Sequence, residues 1–350
     1  MSRKVKYGIC GNFGGESVAC GGQTVKTRIV AEALERICSS GNVMTLDTTG
    51  GARSLPKVFF GSFRLFRNCE NIVIVTARSG VKMIIPLFLF LNRFYHRRID
   101  YLLIGGWLPE LLKEKPGLLK KLKKLNLVCP ETTSAERKLR ALGLENIMLL
   151  PNCRFSPKTE PEGEKKEFKE PLPLLYFSRI TEGKGIKEAL EAVKLANDRL
   201  GRKAFYLDVY GHIDECDRAY FDPLIKEHSG HAEYRGVTGY GDAPGIMKKY
   251  FAMLFLTRYR TEGLPGIIPE ACGAGLPVIA TEWDSARDEI EDGKNGMTVP
   301  MEGSAEAAAA ILCDAAGNIE KWIDMRKECL KAFAKYDAEL VMAEFDRLHG

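Results

Sequence analysis

The stretch "RTEGLPGIIPEACGAGLPVIAT", residues 260 to 281, reads as a loop followed by a helix, a turn and a buried strand. An apolar strand, "FAMLFLT", comes directly before it. Glu262 therefore follows a strand, at the edge where open α/β sheets bind ligands. Glu270 lies about one turn into the helix, whose first N–H groups near Gly266 favour an anion. Two carboxylates so placed can accept hydrogen bonds from sugar hydroxyls on either side of a diphosphate.

Two basic residues of an earlier strand–helix unit favour this interpretation over two merely solvated acids. In "YFSRITEGKGIKEALEAV", residues 176 to 193, Arg179 ends a strand and Lys184 precedes a helix. Such a pair can neutralise the charge that grows on a departing diphosphate. Gly211, in "VYGHID", ends another strand of the same half. Because parallel strands end at one edge of their sheet, we predict that these residues line a single site.

Strand-like and helix-like segments alternate in both halves of the chain, which predicts doubly wound parallel sheets. Between the halves, "SPKTEPEGEKKEFKEPLP", residues 156 to 173, is rich in Pro, Glu and Lys and is typical of a linker. We therefore predict an α/β protein of two Rossmann-like domains, residues 1 to 155 and 174 to 334, facing a central cleft. In the first domain "NIMLLPN" is predicted to be the last strand.

The composition is that of an ordinary globular protein, with 350 residues, 45% of them hydrophobic and 28% charged. Its ten cysteines form no C-x-x-C pair and no zinc-like group with histidine. Dispersed thiols favour a reduced, cytoplasmic protein, and the N-terminus has no hydrophobic signal region. We expect neither a metal nor another cofactor, because no apolar strand is followed by a D-x-D motif.

Charge is divided unevenly between the halves. Residues 1 to 155 contain 25 Lys and Arg against 11 Asp and Glu, whereas residues 156 to 350 contain 26 against 35. A basic half attracts anionic lipid, phosphate or nucleic acid. The apolar run "MIIPLFLFLNRFY", residues 83 to 95, is too short to span a bilayer. It predicts a buried core helix or, because several arginines are close by, a helix at a membrane interface.

The second half of the chain resembles the retaining GT-B glycosyltransferases of family 4, which use nucleotide-activated sugars. Five elements carry the resemblance in the family's order and cover most of residues 174 to 300: "SRITEGKGIKEALEAV", "VYGHID", "EYRGV", "RTEGLPGIIPEACGAGLPVIAT" and "EIEDGKNGMTVP". The first half is less similar. There, "GGQTVKTRIVAEAL" looks like the family's Gly-rich loop and first helix, and "LLPN" looks like the segment that closes its first domain.

The resemblance implies roles for individual residues. Arg179 and Lys184 match the basic pair that holds the donor diphosphate. Glu262 matches the acid near the reacting centre, and Glu270 matches the acid that binds ribose hydroxyls. The family's last helix, here about residues 335 to 350, is expected to pack back on the first domain. The other donor-binding positions that the resemblance implies are Gly22, Gly211, Gly263, Leu264, Gly266 and Ile267.

The activity that the resemblance implies is a hexosyl transfer. The donor is a nucleotide diphosphate sugar, with UDP as the favoured carrier, and the acceptor is a hydroxyl of a saccharide or of a polyprenyl-diphosphate-linked sugar. Such a reaction fits bacterial surface polysaccharide synthesis, for example of a capsule. The basic first half then predicts peripheral contact with an anionic membrane on the cytoplasmic face. Nucleic acid is not an expected partner.

One departure from the family concerns the acceptor side. The strand end at which the family often has a histidine near the acceptor reads "LLIGGWLPE" and contains none. His96 is the only histidine in residues 1 to 155. It is therefore an acceptor-side candidate, together with Arg97 and Arg98.

A second departure concerns the pocket for the donor sugar. The segment "EWDSARDEI" stands where the family more often has a glycine-containing turn before its glutamate. This difference makes Trp283 or Asp284 a candidate for shaping the pocket.

Other enzyme classes remain as alternatives. "GICGNFGGESVACGG" suggests the phosphate loop of an NAD(P)-dependent oxidoreductase, but it contains no G-x-G-x-x-G motif. The acidic residue that would bind the ribose is Asp47, which lies further from the loop than such folds prefer. A third interpretation is a sugar-nucleotide epimerase or an inactive sugar-binding relative on the same fold.

Overall fold

The structure of the protein, a computed structural model, describes residues 4–15, 21–39, 41–157, 167–239 and 241–349. The chain divides into two units. Unit 1 contains Met1–Phe155, Glu262–Gly266 and Lys335–Gly350, and unit 2 contains Ser156–Thr261 and Ile267–Ala334.

Unit 1 is built on a five-stranded sheet with the strand order β2-β1-β3-β4-β5, in which every described pairing is parallel. The prediction of a strand at "NIMLLPN" was wrong, because this segment forms only an isolated bridge between Ile147 and Val128. The five strands are β1 (Val5–Gly11), β2 (Val43–Asp47), β3 (Cys69–Thr76), β4 (Arg98–Leu103) and β5 (Leu127–Cys129).

The central strand β3 shows why the sequence folds into a layered structure. Its side chains alternate between two hydrophobic clusters, with Ile72 and Ile74 in one and Val73 and Val75 in the other. A strand that is covered on both faces must be apolar throughout, which is the pattern of its sequence. Helices therefore lie on both faces of the sheet.

The first six helices belong to unit 1. In α3 one face is buried, including Phe88 and Leu91, while Phe90 and Phe94 on another face are exposed. The buried face agrees with the prediction of a core helix, whereas a position at a membrane interface stays a prediction. The helices are α1 (Gly22–Cys38), α2 (Leu55–Asn68), α3 (Arg78–Tyr95), α4 (Leu108–Glu114), α5 (Pro116–Leu122) and α6 (Thr133–Ala141).

Unit 2 contains a six-stranded sheet with the order β11-β10-β9-β6-β7-β8, again with parallel pairings. Two parallel sheets with helical crossovers confirm the predicted α/β fold class. Residues 158–166 of the predicted linker lie outside the described residues, and the first strand begins at Leu172, within that linker. The strands are β6 (Leu172–Phe177), β7 (Phe205–Tyr210), β8 (Ala232–Gly236), β9 (Ala252–Phe255), β10 (Val278–Thr281) and β11 (Gly296–Val299).

The described part of unit 2 contains seven α-helices, and a hydrophobic cluster joins α7 and α12 to the strands. Short 3-10 turns occur at Gly51–Ser54, Glu182–Lys184 and Phe333–Tyr336. The helices are α7 (Ile186–Leu200), α8 (Glu215–Glu227), α9 (Ala243–Met247), α10 (Ile267–Gly273), α11 (Ala286–Glu289), α12 (Ser304–Gly317) and α13 (Ile319–Ala332).

The last helix, α14 (Ala338–Arg347), belongs to unit 1 and packs on α1. Asp337 caps it by accepting hydrogen bonds from the amides of Glu339 and Leu340. The hydroxyl of Tyr7 on β1 donates to Asp346 at 2.8 Å. These contacts fix the helix against the first strand of the unit.

Two further observations concern membrane spans and thiols. Across the described residues, none of the helices has the length and hydrophobicity needed to cross a membrane. The nine cysteines among these residues are free thiols, and six of them are buried. Cys20 lies outside the described residues.

Candidate functional site

The turn between β6 and α7 carries the two predicted basic residues. Lys184 ends the 3-10 turn Glu182–Lys184, and Gly185 follows with a positive φ of 74°. A side chain at Gly185 would overlap the backbone carbonyl of Leu256, at the end of β9. The amide of Arg258 also donates to the carbonyl of Gly183 at 2.9 Å. The sequence "EGKG" thus allows this turn to lie directly against the end of a neighbouring strand.

The cations of Lys184 and Arg179 have different environments. The Lys184 ammonium is half-buried and lies 5.3 Å from the centroid of the Tyr259 ring and 5.7 Å from that of Phe255. Arg179 is exposed, and its Nη1 lies 3.7 Å from the carboxylate of Asp214. An exposed ion pair of this length is weak. The guanidinium can therefore exchange it for a bidentate contact with phosphate.

Gly211 brings the ends of β6 and β7 close together. A Cβ at this position would overlap the carbonyl oxygen of Ser178. On either side of Arg179, Ser178 and Ile180 donate backbone hydrogen bonds to Tyr210 and His212, at 3.2 and 2.9 Å. The structure thus places Gly211 beside Arg179, as predicted from the ends of the strands.

The two acids belong to different units, Glu262 to unit 1 and Glu270 to unit 2. Glu270 is half-buried in the first turn of α10, where Ala271 and Cys272 are buried. Glu262 is half-buried in the irregular segment before the helix, and Glu262–Gly266 group with unit 1. The predicted helix start near Gly266 is confirmed, since α10 begins at Ile267.

Within unit 1, close backbone contacts hold the segment Glu262–Gly266. The side-chain amide of Asn152 donates to the carbonyl of Leu264 at 3.0 Å. A Cβ at Gly266 would overlap the guanidinium of Arg154, whose Nη1 donates to Asn152 Oδ1 at 2.9 Å. The "LLPN" segment thus supplies an anchor for the loop that carries Glu262.

Gly263 has an equally close neighbour in the same unit. A Cβ there would lie 2.6 Å from the Cα of Gly105 and 2.7 Å from Glu131 Oε2. These contacts leave no room for a side chain at this position. Gly263 is therefore required for packing, independently of any ligand, whereas the neighbour of Gly266 is the end of a flexible arginine side chain.

A buried ion pair that the sequence did not predict supports this region. Lys26 Nζ lies 2.7 Å from Glu131 Oε1 and donates to the carbonyl of Leu103 at 2.6 Å. Glu131 Oε2 accepts the amide of Gly105 at 2.9 Å. A signal was present in the sequence, since Lys26 shares the apolar face of α1 with Ile29 and residues further along it.

Gly22, which was predicted to bind the donor, is the first residue of α1. It is exposed, and a Cβ at Gly22 would meet no described atom within 4 Å. The backbone there is accessible to a ligand, although residues 16 to 20 of the loop before it lie outside the described part of the chain.

Asp47 is engaged in a way that disfavours the dinucleotide alternative. Its Oδ1 accepts hydrogen bonds from the amides of Phe13 and Thr49 and from the Thr49 hydroxyl, at 3.0, 2.9 and 2.6 Å. Burial raises the pKa of this carboxyl, but these hydrogen bonds outweigh burial and hold that pKa below its usual value. The carboxylate fixes the loop after β1 instead of facing a ribose.

The acceptor-side prediction for His96, Arg97 and Arg98 is not supported by their positions. All three lie at the amino end of β4, opposite to the edge at which the strands of unit 1 end. His96 caps α3 with a positive φ of 51°, and Arg97 Nε donates to the carbonyl of Phe66 at 2.9 Å. They stabilise a helix end and a strand start.

Trp283 and Asp284 differ in their exposure. The indole of Trp283 is 2% exposed, packs edge to face on Phe255 and donates to Ser285 Oγ at 2.9 Å. Asp284 is exposed, and its amide donates to the carbonyl of Arg260, two residues before Glu262. Of these two residues, only Asp284 therefore has an exposed side chain, and its backbone bonds to Arg260.

Metal-ligating side chains do not converge in the part of the molecule that the structure describes. Within it, no three His, Cys, Asp or Glu residues form a group that could hold an ion.

A family model and several sequence relatives match part of the chain. A family model described as glycosyl transferases group 1 matches residues 172–315. An amylovoran biosynthesis glycosyltransferase of Erwinia amylovora is 30% identical over 149 residues, 41% of this chain and 35% of the relative. A UDP-N-acetylglucosamine–peptide N-acetylglucosaminyltransferase subunit of Streptococcus pneumoniae is 27% identical over 187 residues, 50% of this chain and 34% of the relative. The chain thus spans about a third of the length of these curated relatives.

Solved structures match nearly the whole chain. The Anabaena protein HepE, in complex with UDP and glucose, has a TM-score of 0.74 at 16% identity, covering 98% of this chain and 99% of that one. A sucrose-phosphate synthase of Thermosynechococcus elongatus has a TM-score of 0.79 at 15% identity, covering 99% and 98%. Residues 172–315 of this chain are thus similar to the glycosyl transferases group 1 family, and the chain as a whole has the fold of the GT-B glycosyltransferases.

Proposed function

We propose that this protein is a retaining hexosyltransferase of family 4 that uses a UDP-sugar as donor. The observation that carries the proposal is the pair Arg179 and Lys184, on either side of a turn that packs against the end of β9. Gly211 beside them keeps the ends of two strands close. Two cations at the carboxyl ends of parallel strands suit a nucleotide diphosphate.

In the proposed reaction, the bond between the anomeric carbon and the diphosphate oxygen breaks while the acceptor hydroxyl attacks on the same face of the sugar. Arg179 and Lys184 neutralise the charge that develops on the leaving diphosphate. The proton of the acceptor hydroxyl passes to an oxygen of that diphosphate, and no metal is required. Glu262 contacts the reacting sugar, and Glu270 binds the ribose hydroxyls.

The remaining donor contacts in this proposal come from backbone groups. Glycine permits the close approach of a phosphate to the main chain. The positions concerned are Gly22, Gly211, Gly263, Leu264, Gly266 and Ile267.

UDP is the proposed nucleotide because of two similar proteins. HepE was solved with UDP and glucose, and the streptococcal relative is named for transfer from UDP-N-acetylglucosamine. A hexose or N-acetylhexosamine donor therefore fits best. The relative in amylovoran biosynthesis favours a saccharide or lipid-linked acceptor in bacterial surface polysaccharide synthesis.

We place the acceptor with unit 1, where the basic excess of residues 1 to 155 lies. A polyprenyl diphosphate carries both an anionic group and an apolar chain in the membrane. A basic unit that approaches an anionic bilayer would meet such an acceptor there. We infer that the protein makes peripheral contact with the membrane during transfer.

Nucleotide binding tests the proposal directly. Isothermal titration with UDP, GDP, ADP and CMP should show UDP binding tightest, and Arg179→Ala with Lys184→Ala should weaken it at least about tenfold. The matched control replaces two exposed lysines of unit 2, Lys226→Ala and Lys321→Ala, and should bind UDP like the wild type. Failure to bind any of these nucleotides, together with binding of NADH, would overturn the transferase proposal.

A further inference from the structure

Two neighbouring helices of unit 1 expose an unusual number of large apolar side chains. Seven such residues lie on α2 and α3, with exposures from 38% to 72%. Five of the seven are phenylalanines, four of them at least 45% exposed, and apolar groups of this size normally face a core. The seven are Leu55, Phe59, Phe60 and Phe63 on α2 and Met83, Phe90 and Phe94 on α3.

The two helices lie side by side, and each has a set of exposed apolar side chains. Their inner faces meet where the ring of Phe66 packs edge to face on Phe88, with centroids 5.2 Å apart. On α3, positions 83, 87, 90 and 94 fall within about 60° of one another at 3.6 residues per turn. This stripe points away from the core to which Phe88 belongs. We call the surface of these seven side chains the α2–α3 face.

Aromatic contacts join the exposed rings along each helix. Phe59 packs edge to face on Phe60 and on Phe63, with centroids 5.5 and 5.2 Å apart. Phe90 and Phe94 are 5.8 Å apart in the same geometry. The exposed apolar surface is therefore a set of adjoining rings and not isolated residues.

The charged residues of α2 and α3 themselves are all positive. Each of the two helices contains three basic residues and no acidic one. In the described structure only Arg78 of these six reaches a carboxylate, Glu114 at 3.9 Å. The other five have no ion-pair partner among the described residues. They are Lys57, Arg64, Arg67, Lys82 and Arg93.

A cavity beside α3 extends the basic rim. Its volume is about 340 Å³, and it lies between α3 and α5. Lys82, Lys115 and Lys121 line it together with Pro86, Gly117 and Leu118, and no carboxylate is among the lining residues. Three ammonium groups around one recess can hold a phosphate group.

We propose that the α2–α3 face rests on an anionic lipid bilayer, with its phenylalanines at the level of the acyl chains and the lysines of the cavity on lipid phosphates. Aromatic residues flanked by cations, without acids, are the pattern of helices that lie in a membrane interface. Charge argues against a second copy of the chain as the occupant, because two such faces would bring like charges together. The membrane contact itself does not depend on the function proposed above. Only the idea that this contact brings the protein to a lipid-linked acceptor rests on that function.

Vesicle sedimentation tests the proposal. The wild type should bind vesicles of phosphatidylcholine with phosphatidylglycerol, more weakly at high salt, and bind pure phosphatidylcholine least. Phe60→Glu with Phe94→Glu should lower partitioning at least about tenfold. The matched control is Leu340→Glu on α14, a leucine that is 62% exposed, and it should bind as the wild type does.

The charged rim is tested separately. Each cation removed by Lys57→Ala, Arg64→Ala or Lys82→Ala should weaken binding to anionic vesicles about fivefold. Lys321→Ala in unit 2 should change nothing. UDP titration of the Phe60→Glu and Phe94→Glu variant should match the wild type, which shows that the variant is folded and keeps the donor site.

Three results would overturn the proposal. The first is a wild type that ignores anionic vesicles at low salt, and the second is equal vesicle binding by the wild type and the double variant. The third is a wild-type dimer in light scattering that the double variant abolishes, because the face would then be covered by a second copy. Vesicle binding without UDP binding would support the membrane face and contradict the transferase proposal, so the two can fail independently.

Discussion

Lys26 and Glu131 form a buried ion pair in unit 1, with Lys26 Nζ 2.7 Å from Glu131 Oε1 and side-chain exposures of 1% and 3%. The pair joins α1 to the segment after β5, and each partner also bonds the backbone around the end of β4, at Leu103 and Gly105. A loop that the resemblance associates with the acceptor is thus held by two charges that are shielded from water. Removal of one charge leaves the other buried without compensation.

We expect Lys26→Met to destabilise the protein by about 3–5 kcal/mol, because the Glu131 carboxylate would remain buried and unpaired. Adding Glu131→Gln to this variant removes the unpaired charge and should recover part of the loss. Urea unfolding of the wild type, both single variants and the double variant measures the coupling. Strictly additive losses would contradict the ion pair. An exposed pair, Lys327 and Asp324, is the control, and its removal should cost less than about 1 kcal/mol.

His349 and Asp100 should make the stability of the protein depend on pH. His349 Nε2 lies 2.8 Å from Asp100 Oδ2, and its Nδ1 lies 2.9 Å from the carbonyl oxygen of Phe345. Both ring nitrogens face acceptors, which favours the doubly protonated imidazolium. Burial lowers the pKa of His349, but the hydrogen bond and charge of Asp100 outweigh burial and raise that pKa above its usual value.

A raised pKa in the folded state means that the native protein holds the proton more tightly than the unfolded chain does. The stabilisation is therefore complete below the unfolded value of about 6.5 and is lost as the pH rises through the folded pKa. As the pH rises above about 6.5, the free energy of unfolding should fall in the wild type. It should fall equally in the control variant His212→Asn, because His212 is exposed. His349→Asn should remove this decline, and an unchanged decline in that variant would assign the pH dependence to another group.

The substitution Gly211→Ala tests whether the ends of β6 and β7 must lie close together. A methyl group there would overlap the carbonyl of Ser178 and push apart the ends of β6 and β7. Gly211→Ala should cost about 1–3 kcal/mol of stability and weaken UDP binding, because Arg179 follows Ser178 directly. Gly230→Ala, at a site where a Cβ meets no described atom within 4 Å, should be nearly neutral. Equal stability of the two variants would show that the strand ends can separate without cost.

Local patterns were sufficient to predict the layered fold and the ends of its strands. The apolar run of β3 indicated a strand covered on both faces, and the two hydrophobic clusters confirm it. Arg179 and Gly211 were placed at strand ends by the same reading, and the structure brings them to one corner of unit 2. These features depend on periodicity over a few residues, which a single sequence contains.

Contacts between distant parts of the chain were not predictable in this way. Lys26 and Glu131 are 105 residues apart. The apolar face of α1 marks Lys26 as a buried position, but nothing local identifies Glu131 as its partner. The α2 part of the α2–α3 face was also not predicted, because its aromatic residues could equally have filled a core, whereas the α3 part lies in the apolar run for which an interfacial helix was one interpretation. His96 is a different case and stays a prediction: it precedes the strand β4, whereas parallel strands carry ligand sites at their other end.

Glu262 and Glu270 should affect different kinetic constants if the proposed function is correct. Glu262 is assigned to the reacting sugar. It lies on the segment that contacts of Asn152 and Gly263 hold in unit 1. Glu262→Gln should therefore lower kcat at least about 100-fold and leave UDP affinity nearly unchanged. Glu270→Gln should instead weaken UDP binding and raise KM for the donor, because it would lose a charge-assisted hydrogen bond to ribose.

Steady-state kinetics with the UDP-sugar that binds best, combined with UDP titration, separates the two effects. Glu320→Gln provides the control for charge alone, since Glu320 is an exposed acid on α13 with no assigned role in the site. It should retain kcat within a few-fold. A Glu262→Gln variant that loses donor affinity in proportion to its loss of rate would show that this carboxylate binds the ground state. The assignment of Glu262 to the reacting centre would then be wrong, even though the transferase activity itself would stand.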